Sequence, residues 1–371
     1  MRTTSLALLV FAASVTGARA QSVAIDDLAA PQSPAFILLG VSPANVERPE
    51  TPKALTLNLI DKVTTANGLP RNYALSVAPY WLASHPNLTF EQYQNPDVKQ
   101  SILQTFLLSV GTVPLPGATS SADPIGTKIG LGVRTAIFNG RANPRLALAI
   151  AELEPVDDII LDLAEKVAEL KKVIAKNPKD AEATKNLAAA EQELATARKE
   201  AASVTLNLQA LDAERVGFFL TVAGGQVWSV LDDDTSRARA EKRGFWVTPS
   251  YRWRGCAAMA ECESSFEAIA VVRTLKEPEL DAVVDYGARA VWKANKQFTV
   301  SIEALRRNQS EDSVEDDSNR TVGLLEYRIR QDLILFGSFG KDFKDITGTK
   351  PLVSLLGLNL GFGKASVIKA R

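Results

Sequence analysis

The strongest constraint on the fold of this chain is a series of long segments in which apolar and polar residues alternate. The segment "IGTKIGLGVRTAIF" at 125–138 is typical, because Leu131 and Val133 fall on one face of the expected strand and Lys128 and Arg134 on the other. Eleven such segments occur, mostly of 10–14 residues, whereas strands of soluble proteins average about five or six. A tilted membrane-crossing strand needs about 9–11 residues, so the lengths favour a transmembrane barrel.

The strand count predicts an all-β antiparallel barrel of about twelve strands. Barrels made of one bacterial chain have even strand numbers, so the count of eleven means that one strand is missed or one is false, and we predict twelve. Two of the eleven are residues 71–83 and 103–113. The best candidate for the missing strand is "RLALAIAEL" at 145–153, whose alternation of leucine and alanine also suits the start of a helix.

Residues 1–20 have the composition of a secretory signal peptide. Arg2 precedes an apolar stretch of about ten residues, and "ARA" ends it at Ala20, after which we expect cleavage. The alternative is a buried N-terminal helix. No later segment has the continuous run of about 18–20 apolar residues that a membrane helix needs, so a membrane location requires a closed barrel.

The few cysteine and histidine residues limit the chemistry that the chain can carry. Cys256 and Cys262 have five residues between them, and in an exported protein this spacing predicts a small disulfide-closed loop. Two thiols without a nearby histidine do not make a metal site. The one histidine, His85, lies beside Ser84 in an expected loop and is more often incidental than catalytic. We predict no enzymatic activity, no metal and no cofactor.

Residues 21–70 form an N-terminal segment that differs from the barrel that we expect over 71–371. Five prolines lie between positions 31 and 52, and they argue against a continuous helix or a central strand there. A short amphipathic helix is predicted to start at Thr51, with Pro52 in its first turn. We expect the segment to occupy the lumen of the barrel or to cap its periplasmic mouth.

Residues 155–211 interrupt the strand pattern with two stretches of helical periodicity. Apolar residues such as Ile160, Leu163 and Val167 recur at helical spacing, and "NPKD" at 177–180 separates them from a second, alanine-rich stretch. The region therefore predicts an inserted antiparallel helical hairpin, with a heptad-like seam in its second arm. The hairpin is either a passive coiled-coil arm or a docking element for another envelope protein or for peptidoglycan.

The polar face of the predicted strands carries many charges. On the lipid-facing surface of a barrel, a cation at the bilayer midplane costs about 2–4 kcal/mol. These side chains are therefore expected to line the lumen. The predicted lumen-lining residues are Lys128, Arg134, Arg252, Arg254, Glu267, Arg273, Asp281, Asp285, Arg289, Lys293, Glu303, Glu326 and Arg328. They would form either an ion-pair network that plugs a narrow lumen or the wall of a water-filled pore with weak anion preference.

Two motifs carry a resemblance to a known family. They are "SPAFILLGVSPANVERPETPKAL" and "GLPRNYALSVAPYWLASHPNLTFEQY", and the likeness is clearest over 33–93. The chain resembles an uncharacterised group of outer-membrane β-barrels of diderm bacteria. The family has no assigned activity, so the resemblance implies a barrel in the outer membrane and transfers no catalytic residues. Barrels of this kind commonly end on an aromatic residue, whereas here "KASVIKAR" follows Phe362 and Gly363.

Composition excludes one class of partner and leaves the function broad. The 42 basic and 43 acidic residues give a net charge of −1, so no global basic field indicates nucleic acid. We expect an outer-membrane barrel that is a narrow channel or a structural envelope component, in contact with outer-membrane lipid. The alternatives are a soluble periplasmic β-rich binding protein and, least favoured, a lipid-acting barrel enzyme. Both chain ends and the helical hairpin are expected in the periplasm. Residues 308–319 are expected to form an exposed acidic loop on the opposite side.

Overall fold

The computed structural model describes most of the chain, and every structural statement below refers to its described residues. They are residues 22–25, 33–42, 44–45, 47–48, 55–62, 72–83, 90–115, 126–141, 144–210, 215–231, 236, 238–254, 264–278, 282–311, 314–330, 332–343, 351–362 and 366–369. The predicted signal peptide, Cys256 and Cys262, His85 and Asp281 lie outside them.

The described elements are fourteen strands and six helices. The strands are β1 (Ser22–Ile25), β2 (Leu55–Lys62), β3 (Asn72–Val77), β4 (Leu107–Leu115), β5 (Gly126–Arg141), β6 (Val216–Leu231), β7 (Arg239–Arg254), β8 (Ser265–Lys276), β9 (Val283–Lys293), β10 (Phe298–Glu311), β11 (Val314–Arg330), β12 (Leu333–Lys341), β13 (Leu352–Phe362) and β14 (Ser366–Lys369). The helices are α1 (Pro34–Leu39), α2 (Pro79–Leu82), α3 (Phe90–Gln94), α4 (Val98–Thr105), α5 (Pro144–Lys176) and α6 (Ala181–Ala210).

The strands β2 to β13 form one closed antiparallel barrel, and this confirms the predicted fold class and the strand number of twelve. Each strand pairs with its neighbours in sequence, and β2 pairs with β13 to close the ring. Closure leaves no free sheet edge with unpaired backbone groups. β8 and β9 likewise pair antiparallel, from Ser265 opposite Lys293 to Leu275 opposite Val283.

The first barrel strand corrects two predictions for the N-terminal segment. Residues after Thr51 were expected to form a helix, but β2 is a strand, so the barrel begins at Leu55 rather than at 71. Leu55, Leu57 and Leu59 alternate with Thr56 and Asn58, which is the period of a strand. The proline near the start suits a helix, but pairing on both sides, with β3 and β13, decides the structure.

The twelfth strand was wrongly assigned to residues 145–153. These residues are the first turns of α5, and β2 supplies the missing strand instead. Alanine has the highest helix propensity of all residues, and single alanines separate Leu146, Leu148 and Ile150, where a strand would favour β-branched or polar residues. The alternation therefore did not distinguish a strand from a helix.

Two other predicted strands are shorter than expected because helices replace their ends. The segment 71–83 is a strand only to Val77 and continues as α2, and the segment 103–113 begins inside α4. Asp97 caps α4 in a capping box with Gln100, which the strand pattern obscured. The indole Nε1 of Trp81 donates to the carbonyl of Gln104 at 2.8 Å and fastens α2 to α4.

The helical hairpin is present but starts earlier than predicted. α5 begins at Pro144 rather than near 155, and the turn at 177–180 leads into α6. The contact between the two helices consists of Ile160 and Val167 from α5 and Ala190, Leu194 and Ala197 from α6. Within the described part of the chain, no helix is long and apolar enough to span a membrane.

The order of the strands assigns each connection to one of two mouths of the barrel. One mouth, here called the hairpin mouth, holds the helical hairpin, helices α2–α4 and both ends of the barrel sequence. The end of β9 and the start of β10, and likewise the end of β11 and the start of β12, lie at the same mouth. The turn between β10 and β11 lies at the opposite, acidic mouth. Residues 308–319 were expected to be a loop, but the pairing of β10 and β11 continues to Glu311 and Val314.

The C-terminal tail forms a second, small sheet. The barrel strand β13 ends on the aromatic Phe362, and the tail continues as β14, which pairs antiparallel with β1. β1 also contacts α6, and β14 contacts α3. The two ends of the described chain are therefore joined beside the hairpin mouth.

Side chains alternate between the two faces of the barrel wall except where a β-bulge shifts the register. Along β8, buried and exposed residues alternate, and Glu267, Ile269 and Arg273 are among the buried ones. In "IGTKIGLGVRTAIF", Leu131 and Val133 are exposed and Arg134 is buried, as the alternation predicts. A β-bulge between Ala136 and Phe138 shifts the register, so Phe138 lies outside although its position in the pattern predicted the inside.

Candidate functional site: the occupied lumen

The interior of the barrel contains residues of the N-terminal segment. The helix α1 is short, and its ends are satisfied locally: the Ser33 hydroxyl accepts a hydrogen bond from the Phe36 amide, and Gly40 closes the helix at φ 74°. The side chains of Pro34 to Leu38 are buried. α1 contacts strands β4 to β7, so it lies against the inner face of the wall.

The segment makes apolar contacts with two sides of the wall. Ile37 and Leu38 pack in a cluster with Trp246, Val227 and other residues of β6 to β9. Phe36, Val41 and Ala44 pack in a second cluster, whose remaining members are Ala74, Val322, Leu324, Phe336, Val353 and Leu355. We call residues 33–48 the plug, since their described members contact both sides of the lumen.

A glycine in the wall allows the close approach of the plug. A Cβ atom added to Gly132 would lie 2.5 Å from the Cβ of Pro34, and one added to Gly130 would lie 3.1 Å from the carbonyl oxygen of Ala35. Side-chain hydroxyls also take part, since Ser109 accepts a hydrogen bond from the Ala35 amide at 3.2 Å. The inner surface of β4 and β5 is therefore shaped to fit α1.

Two polar contacts fasten the C-terminal part of the plug to strands remote in sequence. The Asn45 amide donates to Oε2 of Glu303 at 2.7 Å. The Arg48 guanidinium pairs with Glu267 at 3.0 Å, and both side chains are almost completely buried. Glu267 also pairs with Arg252 at 2.8 Å and accepts from the Ser250 hydroxyl, so one carboxylate compensates two buried cations.

A second cluster of charges lies on β8, β9 and β10. Asp285 is fully buried and pairs with Arg273 at 2.5 Å and with Arg307 at 2.8 Å. The Arg307 guanidinium stacks over the Phe343 ring at 3.9 Å from its centroid. Hydrogen-bonded and paired in this way, the charges tolerate burial that would otherwise be very unfavourable.

The third cluster joins β9, β10 and β11 to Asp342, which follows β12. Arg289 donates to the Ser301 hydroxyl at 2.9 Å and approaches Glu326 at 3.5 Å. Arg320 pairs with Glu303 at 3.0 Å and with Asp342 at 2.9 Å. Because Glu303 also accepts from the plug amide of Asn45, this cluster connects the plug with the wall.

The predicted lumen-lining residues occupy different positions in the wall. Arg134, Arg252, Glu267, Arg273, Asp285, Arg289, Lys293, Glu303 and Glu326 are buried. Lys128, Arg254 and Arg328 are only partly buried, and Lys128 pairs with Glu241 at 2.6 Å. Asp281 lies outside the described residues.

The lumen near the hairpin mouth has little free space. Arg48, Lys293 and Arg328 line a cavity of about 10 Å³ there, which is close to the volume that one water molecule needs. Of the two alternatives for the charged face, the geometry in this region favours a network that fills the lumen.

One carboxyl group of the plug has no hydrogen bond within the described residues. Both carboxylate oxygens of Glu47 are buried and unpartnered, as is the indole nitrogen of Trp246. Burial raises the pKa of Glu47 from 4.5 to about 7, while the charges of Arg134 and Arg273 and the Trp246 indole oppose this shift. Glu47 lies in the plug, outside the barrel strands.

Several residues of the network were not predicted from the sequence. Arg48 and Asn45 lie in the proline-rich segment, where no periodicity indicated a direction for their side chains. Arg307 continues the inward row of Ser301 and Glu303 on β10, so extending that alternation would have found it. Arg215 was missed as well: it lies just before β6 and donates to the carbonyls of Tyr93, Asn139 and Gly140.

No group of three or more potential metal ligands lies within the part of the chain that the structure describes. No family model and no curated protein matches the chain, so the family resemblance stays a prediction. The solved structures that match include the Ralstonia pickettii toluene transporter TbuX, which is 10% identical; the alignment covers 92% of this chain and 97% of that chain, with a TM-score of 0.29. A TM-score this low supports no conclusion about this chain.

Proposed function

We propose that this chain is an outer-membrane β-barrel that works as a narrow channel, closed in the present structure by its own plug. The observation that carries the proposal is an inverted polarity. Large apolar side chains are exposed around the wall, whereas the buried interior contains arginine, aspartate and glutamate. Water favours the opposite arrangement, and lipid favours this one.

Aromatic rings add support because they gather near both mouths. The exposed rings towards the hairpin mouth are Phe138, Phe218, Tyr251, Trp253, Trp292, Tyr327 and Phe362. The exposed rings towards the acidic mouth are Tyr73, Phe245, Tyr286 and Phe339. On β7 the rings of Phe245 and Trp253 would be separated by roughly 20 Å along the membrane normal at ordinary strand rise and tilt, close to the apolar band of about 25 Å in known barrels.

The contacts of the plug are consistent with a closed state of the channel that can open. Its apolar residues are inserted in the wall clusters, yet its links to β8 and β10 are ion pairs and hydrogen bonds that water can replace. Displacement of the plug would leave the buried charges of the wall facing an aqueous path. The same charges would then select solutes by size and charge.

A matched pair of glycine variants tests this function. Gly132→Val places a side chain where Pro34 and Ala35 lie, whereas Gly323→Val adds one where the nearest atom is 3.7 Å away. We expect G132V to displace α1 and to raise the single-channel conductance in planar bilayers well above that of the parent chain. G323V should conduct as the parent does.

Each variant is measured in two independent ways, by its conductance and by its folding. Folding of each variant is checked by heat-modifiable migration on a gel, which is typical of barrels. Equal conductance of folded G132V and G323V would contradict the channel function and favour a purely structural role in the envelope.

Two alternatives make different predictions. A soluble periplasmic binding protein would be released into buffer by osmotic shock, whereas the exposed apolar wall requires detergent for extraction. A lipid-acting enzyme would lose hydrolytic activity in His85→Ala. We propose that the chain is not an enzyme, so this variant should behave as the parent in a phospholipid-hydrolysis assay.

A further inference from the structure

The outer face of the barrel carries an apolar groove that the plugged lumen does not explain. The groove has a volume of about 860 Å³ and crosses the outer faces of β3 to β8. This volume falls in the range of about 300–1,000 Å³ that small-molecule sites occupy. Leu108, Val110, Leu131, Val133 and Phe245 line it with apolar side chains that are exposed in the structure.

The groove follows from the register of the strands. Val133 on β5, Gly224 on β6 and Phe245 on β7 are direct cross-strand partners and form one outward row. Gly224 has no side chain, so a gap opens between its two larger neighbours. Gly132, Gly225 and Gly244 form the adjacent inward row, against which α1 packs closely. The wall is therefore thin at this place, with the plug on one side and the groove on the other.

The neighbouring outward row becomes polar at one end. Gln226, Arg243 and Lys276 are consecutive cross-strand partners on β6, β7 and β8, and all three line the groove. Arg243 and Lys276 are exposed and face each other directly. Like charges in that position destabilise a sheet.

No acidic side chain among the described residues compensates this pair of cations. Two described glutamates close to these cations in sequence pair with other lysines: Glu241 pairs with Lys128 at 2.6 Å, and Glu277 pairs with Lys242 at 2.9 Å. The two cations lie near the ends of their strands at the acidic mouth. In a membrane barrel this is the depth at which lipid headgroups begin.

We infer that the groove is a binding site for one anionic, phosphate-bearing membrane lipid. An acyl chain lies across two adjacent apolar rows, one with the pair Val110 and Leu131 and the other with the pair Leu108 and Val133. The phosphate accepts hydrogen bonds and ion pairs from Arg243 and Lys276 and relieves their mutual repulsion. The inference rests on the proposed membrane location and adds the chemical class of the lipid.

Native mass spectrometry of the full chain in detergent tests the headgroup contact. Dioleoyl phosphatidylglycerol and dioleoyl phosphatidylcholine carry the same acyl chains, and only the former has a net negative headgroup. We expect the parent chain to bind phosphatidylglycerol at least tenfold more tightly. In the double variant Arg243→Gln and Lys276→Gln the preference should fall below twofold, whereas Arg330→Gln, an exposed cation at the other mouth, should retain it.

A second pair of variants tests the acyl-chain contact. Val133→Trp fills the groove and should weaken retention of both lipids at least fivefold. Ile302→Trp adds the same ring to the exposed outer face of β10, distant from the groove, and should bind as the parent does.

Each other outcome overturns the inference. Equal affinity for the two lipids in the parent chain, or an unchanged preference in the double variant, would reject the anionic headgroup. A dimeric mass that V133W reduces to a monomer would show that a second copy covers the groove instead. Heat-modifiable migration is recorded for every variant, so a folded barrel without lipid preference rejects this site alone, and an unfolded or freely soluble chain rejects the proposed function.

Discussion

Glu267 illustrates how single residues stabilise a polar interior. It compensates Arg48 of the plug and Arg252 of the wall, and all three side chains are nearly inaccessible to solvent. A buried pair of this kind adds little compared with apolar packing, but removal of one partner leaves an uncompensated charge behind. The loss of stability on substituting one partner therefore comes mainly from the buried charge that is left without a countercharge.

Glu267→Gln should lower the free energy of unfolding by about 3–5 kcal/mol, because it leaves Arg48 and Arg252 without a countercharge. Urea titration of the refolded barrel, followed by tryptophan fluorescence, measures the change. Glu241→Gln is the matched control, since the pair of Glu241 with Lys128 is about one-third exposed and should matter by less than about 1 kcal/mol. Equal losses in the two variants would contradict the role given to burial.

Glu47 makes the seating of the plug depend on pH. Its pKa is raised from 4.5 in the unfolded chain to about 7 in the structure. The Glu47 carboxyl therefore stays protonated to a higher pH when the plug is seated than when it is exposed to water. The resulting stability is fully present below about pH 4.5 and is lost as the pH rises through about 7. Protease cleavage within 33–48 should therefore be slower at pH 5 than at pH 8.

Glu47→Gln provides the control for that dependence. Glutamine has nearly the same shape and no ionisable group, so cleavage of the variant within 33–48 should change little between pH 5 and pH 8 after correction for the protease's own pH profile. A pH dependence that survives in the variant would assign it to another group.

The helical hairpin is the element whose stability depends on one narrow contact. Leu194→Ala removes a buried side chain from the seam between α5 and α6 and should cost about 2–5 kcal/mol locally. Leu161→Ala, with the same chemical change at an exposed position, should cost much less. Hydrogen exchange measured by mass spectrometry should accelerate in α5 and α6 of L194A, while β5 and β6 remain protected as in the parent.

The strands show which part of the fold was accessible from sequence. Period-two alternation separates two faces of a strand, because burial follows the pleat, and Arg273, Asp285 and Glu303 are buried in the structure. The proline near Thr51 suggested a helix where β2 forms, and the alternation at 145–153 suggested a strand where α5 starts. Both patterns suit either kind of element, and for β2 the pairing with β13 decides. The contact of Arg48 with Glu267 spans 219 residues, and no local pattern encodes a contact of that separation.

At the scale of the whole molecule, the strand order predicts which connections face the same compartment. The turn at 177–180 and the ends of β10 and β11 at Glu311 and Val314 lie at opposite mouths. An epitope tag inserted between Asp312 and Ser313 should bind antibody on intact cells. A tag between Pro178 and Lys179 should bind only after the outer membrane is permeabilised. The reverse pattern would show that the barrel has the opposite orientation in the membrane. Binding of both tags on intact cells would contradict a barrel whose two mouths face different compartments.

The small sheet of β1 and β14 has a consequence for how the channel would work. The plug follows β1, which is fastened to the C-terminal strand, and precedes β2, which closes the barrel against β13. Both ends of the plug are thus tethered at the hairpin mouth, and its return to the lumen is an intramolecular event. Short tethers give effective concentrations on the order of millimolar. Closure would then be independent of protein concentration, and each opening would be self-limiting without any second protein to reset it.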